Sequence, residues 1–230
     1  MNLEELLKIC ICEKKIISLV GAGGKTTLMY RIATEAAKCG KRVIVSTTTH
    51  IRRPKNNYAT DLESVRKLWS EGEYAVIGMI DSNDSQKLIF PEKAFYERVK
   101  EEADIILHEA DGAKMYSCKV PAAHEPVIME CDIVIGVMGM SAIGQQMKEC
   151  CFRFLEEGKW LRVNENAKLT EDIAAKILSS DKGTRKSVND REYIVVLNQC
   201  DNEESKKCAQ TIAKTLEKDY RIKTVCCCLK

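Results

Sequence analysis

The sequence predicts an α/β protein whose mostly parallel sheet carries helices on both faces, as a three-layer sandwich. Short apolar, β-branched runs alternate along the chain with longer stretches of mixed polarity. This alternation is typical of strands joined by crossover helices. Several of the short runs are apolar throughout, as strands buried on both faces of a parallel sheet are.

The expected elements follow from these runs. We predict strands at Lys15–Val20, Arg42–Ser46, Tyr74–Ile80, Asp104–Glu109, Asp132–Met138, Glu192–Leu197 and Ile222–Val225. We predict helices at Lys25–Cys39, Asp61–Trp69, Pro91–Glu102, Thr170–Leu178 and Asn202–Lys218. The polar stretches Ile51–Thr60 and Ser180–Arg191 are expected to be loops.

Individual residues mark the ends of these helices. Thr170 is expected to cap a helix that begins with two acidic residues, which favour the positive end of the helix dipole. Gly40 follows the first long helix, where a left-handed residue often ends a helix. Pro91 suits a first helical turn, because its missing N–H would have no partner there.

The length and composition fit a single α/β domain spanning residues 1–230. The formal net charge is +2, so we expect neither nucleic acid nor an anionic membrane as a partner. No apolar run approaches the roughly 18–20 residues of a membrane span. The N-terminal residues lack the basic start of a signal peptide. These features together predict a cytoplasmic protein.

The twelve cysteines do not predict a disulfide framework, which is typical of small secreted domains. No pair has the Cys-x-x-Cys spacing of a zinc site. The run Cys226–Cys228 leaves two alternatives. It binds a soft metal or a selenium species, or its residues are reduced, partly buried thiols, which is the interpretation we favour.

The segment 21–27, here called the phosphate loop, lies between the first predicted strand and helix; it reads Gly21, Ala22, Gly23, Gly24, Lys25, Thr26, Thr27. Glycines let the backbone direct N–H groups at one anion, and the helix N-terminus adds about half a positive charge. Lys25 is expected to reach the β- and γ-phosphates, and the Thr26 hydroxyl to bind Mg²⁺. We therefore predict that ATP or GTP binds here with Mg²⁺.

The loop is shorter than the usual motif, because Leu19 stands where the first glycine normally lies. The alternative is a glycine turn that only caps the helix.

Hydroxyl and carboxylate side chains follow the strands that should flank this loop. Thr47, Thr48, Thr49 and His50 come after the second strand, where ligands approach a parallel sheet. They are candidates to hold a γ-phosphate, a metal ion, the attacking water or an acceptor. The alternative is that β-branched threonines simply finish the strand.

Two carboxylates stand at the end of the fourth predicted strand: Glu109 is its last residue, and Asp111 comes two residues later. Alternation sends both to the same side, where P-loop proteins place a Mg²⁺ ligand or a group that orients water. Both are candidate catalytic and metal-binding residues, and Thr26 and Thr47 complete the candidate metal set. His108, which directly precedes Glu109 in the predicted strand, is expected to pack on the opposite face of the sheet.

The sixth strand ends in Asn198-Gln199-Cys200-Asp201, which resembles the base-reading motif of GTPases without its lysine. A carboxylate at Asp201 would accept the two N–H donors of guanine, so the motif leans slightly toward GTP. The alternative is that Asn198 and Asp201 cap the helix beginning near Asn202.

A polar, irregular segment, Gly112–Pro126, lies between these motifs. Lys114, Lys119 and His124 are candidates there for binding an anionic substrate. The alternative is an ordinary surface connection.

The motifs in order, GAGGKTT, STTTHI, EADGAK, KVPAAHEPVI and VIGVMGMSAIG, resemble the selenium-dependent hydroxylase accessory protein family, often called YqeC. The resemblance covers residues from Ile16 to about Asp201. It implies an accessory role in the maturation of selenium-dependent molybdenum hydroxylases. The partners it implies are a molybdenum hydroxylase or a selenium-delivery protein.

A more distant resemblance is to the ATP-binding domain of Mur-type ligases. They share the Gly-x-x-Gly-Lys-Thr-Thr spacing and a Glu after a central strand, here Glu109. The functional alternatives are therefore a nucleoside triphosphatase that drives maturation, a small-molecule kinase or ligase-like enzyme, and a nucleotide-sensing adaptor without catalysis. In the first, Lys25 neutralises phosphate charge and Thr47, Thr48 and Thr49 sense the γ-phosphate.

Overall fold

The computed structural model describes residues 1–229 and has an α/β fold organised around one large sheet. The strands are β1 Lys15–Gly21, β2 Val43–Thr47, β3 Ile51–Arg52, β4 Tyr58–Ala59, β5 Ala75–Ile77, β6 Met79–Asp81, β7 Asp84–Ile89, β8 Ile105–Glu109, β9 Cys118–Lys119, β10 Ile133–Gly139, β11 Cys151–Phe152, β12 Glu192–Asn198 and β13 Lys223–Cys226. The α-helices are α1 Leu3–Ile11, α2 Lys25–Lys38, α3 Leu62–Ser70, α4 Lys93–Glu102, α5 Met147–Cys150, α6 Phe154–Glu157, α7 Glu171–Ser179 and α8 Glu203–Tyr220. Two short 3₁₀ helices cover Met140–Ala142 and Gly158–Leu161.

The main sheet has eight strands in the order β13-β12-β10-β1-β8-β2-β5-β4. Its pairings among residues 1–229 are all parallel, which confirms the predicted parallel sheet. The strand β1 lies between β10 and β8. From β1 the chain passes through α2 to β2, which lies on the other side of β8 from β1. The connection that starts at Gly21 therefore opens at the ligand-binding end of the sheet.

Alternate side chains of each central strand face different helical layers. In β12, Ile194 and Val196 pack in the cluster that contains α1 and α2. Val195 and Leu197 pack in the opposite cluster with α7 and α8. On that second side, α3 and α4 cover β2, β5 and β8. The predicted three-layer arrangement is confirmed, and it follows from strands that are apolar on both faces.

The predicted strand Tyr74–Ile80 is wrong as one element. Its first part is β5 of the main sheet, and its second part is β6, which pairs antiparallel with β7 in a separate three-stranded sheet. The chain changes sheet at Gly78, where a Cβ atom would press against the Ile89 carbonyl and the Leu88 side chain. An uninterrupted apolar run carries no sign of such a change.

Several short elements are not among the predicted ones. The predicted loop Ile51–Thr60 contains β3 and β4, which are too short to show a periodicity. Helix α1 did leave a signal in the sequence, because Asn2 stands three residues before Glu5, which is the spacing of a capping box. In the structure the two residues form this box, and Leu6 and Cys10 of the helix are buried.

The predicted helix ends are confirmed with two corrections. Thr170 caps α7, and Gly40 follows α2 with a φ of 74°. Pro91 does not enter α4, whose N-cap is Glu92. Helix α8 is capped by Asn202, whose side chain accepts from the Ser205 N–H at 2.8 Å. The alternative that Asn198 and Asp201 cap this helix is therefore wrong.

Among residues 1–229, no two cysteines are joined by a disulfide. Within residues 1–229 there is no group of three or more His, Cys, Asp or Glu side chains arranged to hold a metal ion. Over the same range, no helix has both the length and the apolar character needed to cross a bilayer.

The hydroxyl of buried Tyr193 donates to the Leu178 carbonyl at 2.9 Å and so joins β12 to α7. We expect Tyr193→Phe to lower the free energy of unfolding by about 1–2 kcal/mol, because that carbonyl loses its donor in a buried site. Urea denaturation measures the change. Tyr220→Phe, at a tyrosine that is 44% exposed, is the control and should be neutral; equal losses in the two variants would contradict this account.

Candidate functional site

The phosphate loop has a backbone that only glycine tolerates well. Gly21, Gly23 and Gly24 have φ values of 94°, 82° and 117°, a region that other residues rarely adopt. A Cβ atom on Gly23 would also collide with the backbone of Gly139 at the end of β10. The glycines therefore allow a tight turn that packs directly on the neighbouring strand.

The first N–H groups of this loop are used inside the protein. Gly21 N donates to Asp111 Oδ2 at 3.1 Å. Ala22 N donates to the Val137 carbonyl at 2.9 Å, and Gly23 N to the Tyr116 carbonyl at 3.0 Å. The expectation that successive loop N–H groups all point at one anion is thus corrected. The donors without an intrahelical partner are those of the first turn of α2, from Gly24 to Thr27.

Lys25 lies folded across the loop that precedes it. Its Nζ atom donates to the Gly21 carbonyl at 2.5 Å and lies 3.1 Å from Asp111 Oδ1. The side chain is only 4% exposed. Oδ1 of Asp111 has no hydrogen-bond partner within residues 1–229, so the contact with Lys25 is an ion pair rather than a well-aligned hydrogen bond. The ammonium group is therefore held next to the N-terminus of α2.

Lys119, one of the candidates for binding an anionic substrate, is buried. Its Nζ atom lies 3.1 Å from Asp111 Oδ2 and 2.7 Å from Glu125 Oε2, and donates to the Gly112 carbonyl at 2.5 Å. Its side chain is 1% exposed. The segment Gly112–Pro126 is thus more than a surface connection, because its middle part supplies a buried cation behind the phosphate loop.

The buried carboxylate Glu125 completes this charge network. Arg153 Nη1 lies 2.5 Å from the same Glu125 oxygen that contacts Lys119. Burial acts to raise the pKa of Glu125, but the hydrogen bond and charge of Lys119, together with Arg153, outweigh it and hold the pKa below its usual value. Glu125 is therefore ionised at neutral pH. We call Lys25, Asp111, Lys119, Glu125 and Arg153 the charge network.

Glu109 is brought to the first turn of α2. Thr26 Oγ1 donates to Glu109 Oε2 at 2.6 Å. Thr47, the register partner of Glu109 in β2, donates from its hydroxyl to the Glu109 carbonyl at 3.0 Å. Burial raises the pKa of the Glu109 carboxyl, and the charge of Lys25 opposes this only in part.

A hydroxyl and a carboxylate in contact are a donor set that Mg²⁺ prefers, because this ion takes oxygen ligands. Of the predicted metal ligands, the structure brings Thr26 and Glu109 together. Asp111 is instead paired with two lysines. The Thr47 hydroxyl donates to the Glu109 carbonyl of β8 and accepts from Thr49 N at 3.0 Å.

The predicted catalytic residue Thr48 and the other predicted substrate-binding residues are dispersed. His50 Nε2 lies 3.2 Å from Asp81 Oδ2, in β6 of the three-stranded sheet, and Thr48 Oγ1 donates to the Val127 carbonyl at 2.7 Å. Lys114 and His124 are exposed, and Lys114 Nζ lies 5.5 Å from the centre of the Phe152 ring. His108 packs on the opposite face as predicted, with Nε2 at 2.9 Å from the Tyr96 hydroxyl.

Asn198 lies beside the phosphate loop. Its amide nitrogen donates to the Gly23 carbonyl at 2.9 Å, and its amide oxygen accepts from Leu229 N at 2.9 Å. Asp201 Oδ1 accepts from the Cys228 thiol at 2.7 Å. Of the two residues predicted to read the base, Asn198 thus connects the chain after β13 with the loop, and Asp201 contacts the chain after β13.

A surface cleft of about 270 Å³ adjoins the loop. It was not predicted, although the strings EADGAK and VIGVMGMSAIG contain part of its wall. The Ser117 carbonyl accepts from Gly139 N at 2.8 Å and lies next to Gly23. The Ser117 hydroxyl contacts Ser141 and Gln199. The cleft is lined by Lys114, Met115, Tyr116, Ser117, Ala142, Gln145, Glu149 and Cys150.

Comparison with known proteins identifies relatives of this chain. The family model described as "YqeC protein" matches residues 17–155. The Escherichia coli (strain K12) protein named "Uncharacterized protein YqeC" is 31% identical over 139 residues, which are 57% of this chain and 54% of that protein. The chain thus spans about half the length of this curated relative. The matched residues 17–155 include the phosphate loop and the charge network, but neither Asn198 nor Asp201.

Two lysines of the same segment test the charge network. We expect Lys119→Met to lower the free energy of unfolding by about 3–5 kcal/mol, because Asp111 and Glu125 lose a buried partner. Lys114→Met, at an exposed position, should change it by no more than about 0.5 kcal/mol. Denaturant unfolding of both variants measures the difference, and a neutral Lys119→Met would refute the network.

Proposed function

This chain belongs to the YqeC family, and from that premise we propose that it is a cytoplasmic P-loop protein that binds ATP or GTP with Mg²⁺. We further propose that it hydrolyses the nucleotide as an accessory factor in the maturation of selenium-dependent molybdenum hydroxylases. The observation that carries the nucleotide proposal is the pairing of Lys25 and Thr26, at the start of α2, with Asp111 just after β8 and with Glu109 at its last position.

The partners of Lys25 are ones that a triphosphate would replace. The ammonium group now contacts a neutral carbonyl and one carboxylate oxygen of Asp111. A β- or γ-phosphate at the first turn of α2 would accept from the N–H groups of that turn and attract Lys25 more strongly than the carbonyl does. Asp111 would keep Lys119 and the Gly21 N–H as partners.

The Thr26 hydroxyl and the Glu109 carboxylate would hold Mg²⁺. The ion supplies neutralisation of the phosphate charge when bound. Because burial raises the pKa of Glu109, the metal would compete with a proton for this carboxylate. Binding of Mg²⁺ is then expected to weaken as the pH falls.

Hydrolysis would need a group that orients water. Asp111 Oδ1 lacks a hydrogen-bond partner within residues 1–229 and lies beside Lys25, so we assign it this role. Thr48 is a weaker candidate, because its hydroxyl already donates to the Val127 carbonyl.

A small-molecule kinase or ligase-like enzyme is the second candidate. The observation that favours it is the cleft of about 270 Å³, whose wall residue Ser117 lies next to Gly23; the cleft would give an acceptor room near a phosphate bound at the loop. Formation of a diphosphate nucleotide that depends strictly on one added small molecule would support this candidate. Binding without turnover would instead favour a nucleotide-sensing adaptor.

Lys25→Ala tests nucleotide binding. We expect the affinity for ATP or GTP with Mg²⁺ to fall about 10–100-fold, because a charge-assisted contact contributes roughly 1.5–3 kcal/mol. Titration calorimetry measures the affinities, and circular dichroism checks that each variant is folded. Lys38→Ala is the control on the same helix, at a side chain that is 65% exposed. Unchanged affinity in folded Lys25→Ala would refute the assigned role.

Glu109→Gln tests the metal site. In the wild type, the Mg²⁺ dependence of nucleotide binding should weaken as the pH is lowered through the raised pKa of Glu109. In Glu109→Gln, both the Mg²⁺ dependence and this pH dependence should largely disappear. Glu101→Gln, at an exposed residue of α4, should behave as wild type. A pH dependence that persists in Glu109→Gln would assign it to another group.

A further inference from the structure

Two buried thiols beside the charge network lie close together. Cys118 and Cys151 are in-register partners of the short parallel ladder β9–β11, and their Sγ atoms are 3.2 Å apart. Both side chains are buried. The sulfur atoms of a disulfide are about 2.0 Å apart, so a closure of roughly 1 Å would bring these two to bonding distance.

The cleft gives small molecules a route toward these thiols. Ser117 and Cys150 line the cleft, and they are the chain neighbours of Cys118 and Cys151. The thiol pair therefore lies directly behind the cleft wall. A small uncharged oxidant needs to pass only this layer to reach a sulfur atom.

We propose that Cys118 and Cys151 are a reversible redox pair, which a small hydroperoxide entering through the cleft oxidises to a disulfide. This modification site goes beyond the proposed function and does not depend on nucleotide binding.

The reaction is balanced with the peroxide as oxidant. One thiolate attacks a peroxide oxygen and breaks the O–O bond, which gives a sulfenic acid and releases hydroxide. The second thiol attacks the sulfenic sulfur, forms the S–S bond and expels water. The two thiols lose two electrons in total, and hydrogen peroxide becomes two water molecules. A dithiol reductant reverses the modification.

The environment of the pair sets its reactivity. The hydrogen bond to Cys151, together with burial, raises the pKa of Cys118 well above its usual value. The thiolate is therefore scarce at neutral pH, and oxidation should be slow and become faster as the pH rises.

The disulfide would fix one wall of the phosphate loop. Cys118 lies between Ser117, whose carbonyl accepts from Gly139 N, and Lys119, which contacts Asp111. A covalent bond from Cys118 to Cys151 of β11 would hold the short strand β9 in place. Oxidation thus acts on the segment that supplies the charge network with its second lysine.

Peptide mapping tests the proposal. The full-length protein is treated with hydrogen peroxide, its remaining thiols are blocked with N-ethylmaleimide, and it is digested with trypsin without reduction. Mass spectrometry should find residues 115–119 linked to residues 149–153, and dithiothreitol should abolish the link. Cys150→Ser should keep this linked peptide, whereas Cys151→Ser should lower its yield at least about tenfold.

Thermal unfolding gives a second readout. In Cys150→Ser, the oxidised form should unfold roughly 5–10 °C above the reduced form, because the cross-link restricts the unfolded chain. If Cys151→Ser does not fold, fragment ions of the wild-type linked peptide assign the sulfur directly. Absence of the link, its persistence in Cys151→Ser, or an equal yield of other cysteine pairs would overturn the proposal.

Discussion

The contact between Lys25 and Asp111 is the interaction on which the rest of the site depends. Lys25 lies at the start of α2 and Asp111 follows β8, so their ion pair joins the two elements that border the phosphate loop. Asp111 also accepts from Gly21 N. Ionised side chains cost several kcal/mol each to bury, and this cost is offset only when partners surround them. Lys119, Glu125 and Arg153 supply those partners.

In the proposed mechanism, Lys25 exchanges its partners in the protein for a phosphate. Without a phosphate, its ammonium group is satisfied by Gly21 and Asp111. With a phosphate, Asp111 would still be neutralised by Lys119, so departure of Lys25 would not leave a bare carboxylate in the interior. Arg153 in turn supports Glu125, which shares Lys119 with Asp111. The network thereby lowers the electrostatic cost of moving Lys25 to a ligand.

Much of the fold could be predicted from the sequence, because it depends on local chemistry. Apolar runs such as Ile133–Gly139 are buried along their whole length, so the parallel sheet and its helical layers follow from alternation alone. The contact between Thr26 and Glu109 can also be understood from the sequence. Glu109 ends β8, and Thr26 lies in the first turn of α2, which follows β1, the strand beside β8.

What the sequence could not show depends on long-range packing. Lysine is usually a surface residue. Lys119 is buried because Asp111 and Glu125 pair with it in the folded chain, where Arg153 also pairs with Glu125. The hydrogen bonds of Ala22 N and Gly23 N likewise depend on distant partners, the carbonyls of Val137 and Tyr116. Gly78 separates β5 from β6 and lies in close contact with β7. The hydrophobic periodicity of the sequence does not reveal this contact.

The most direct measurement is a crystal structure with Mg²⁺ and millimolar non-hydrolysable ATP or GTP analogue. The account predicts phosphate oxygens on the N–H groups of the first turn of α2. It also predicts that Lys25 Nζ leaves the Gly21 carbonyl for a phosphate while Lys119 stays on Asp111. A loop without bound phosphate, with Lys25 still on Gly21 and Asp111, would contradict it.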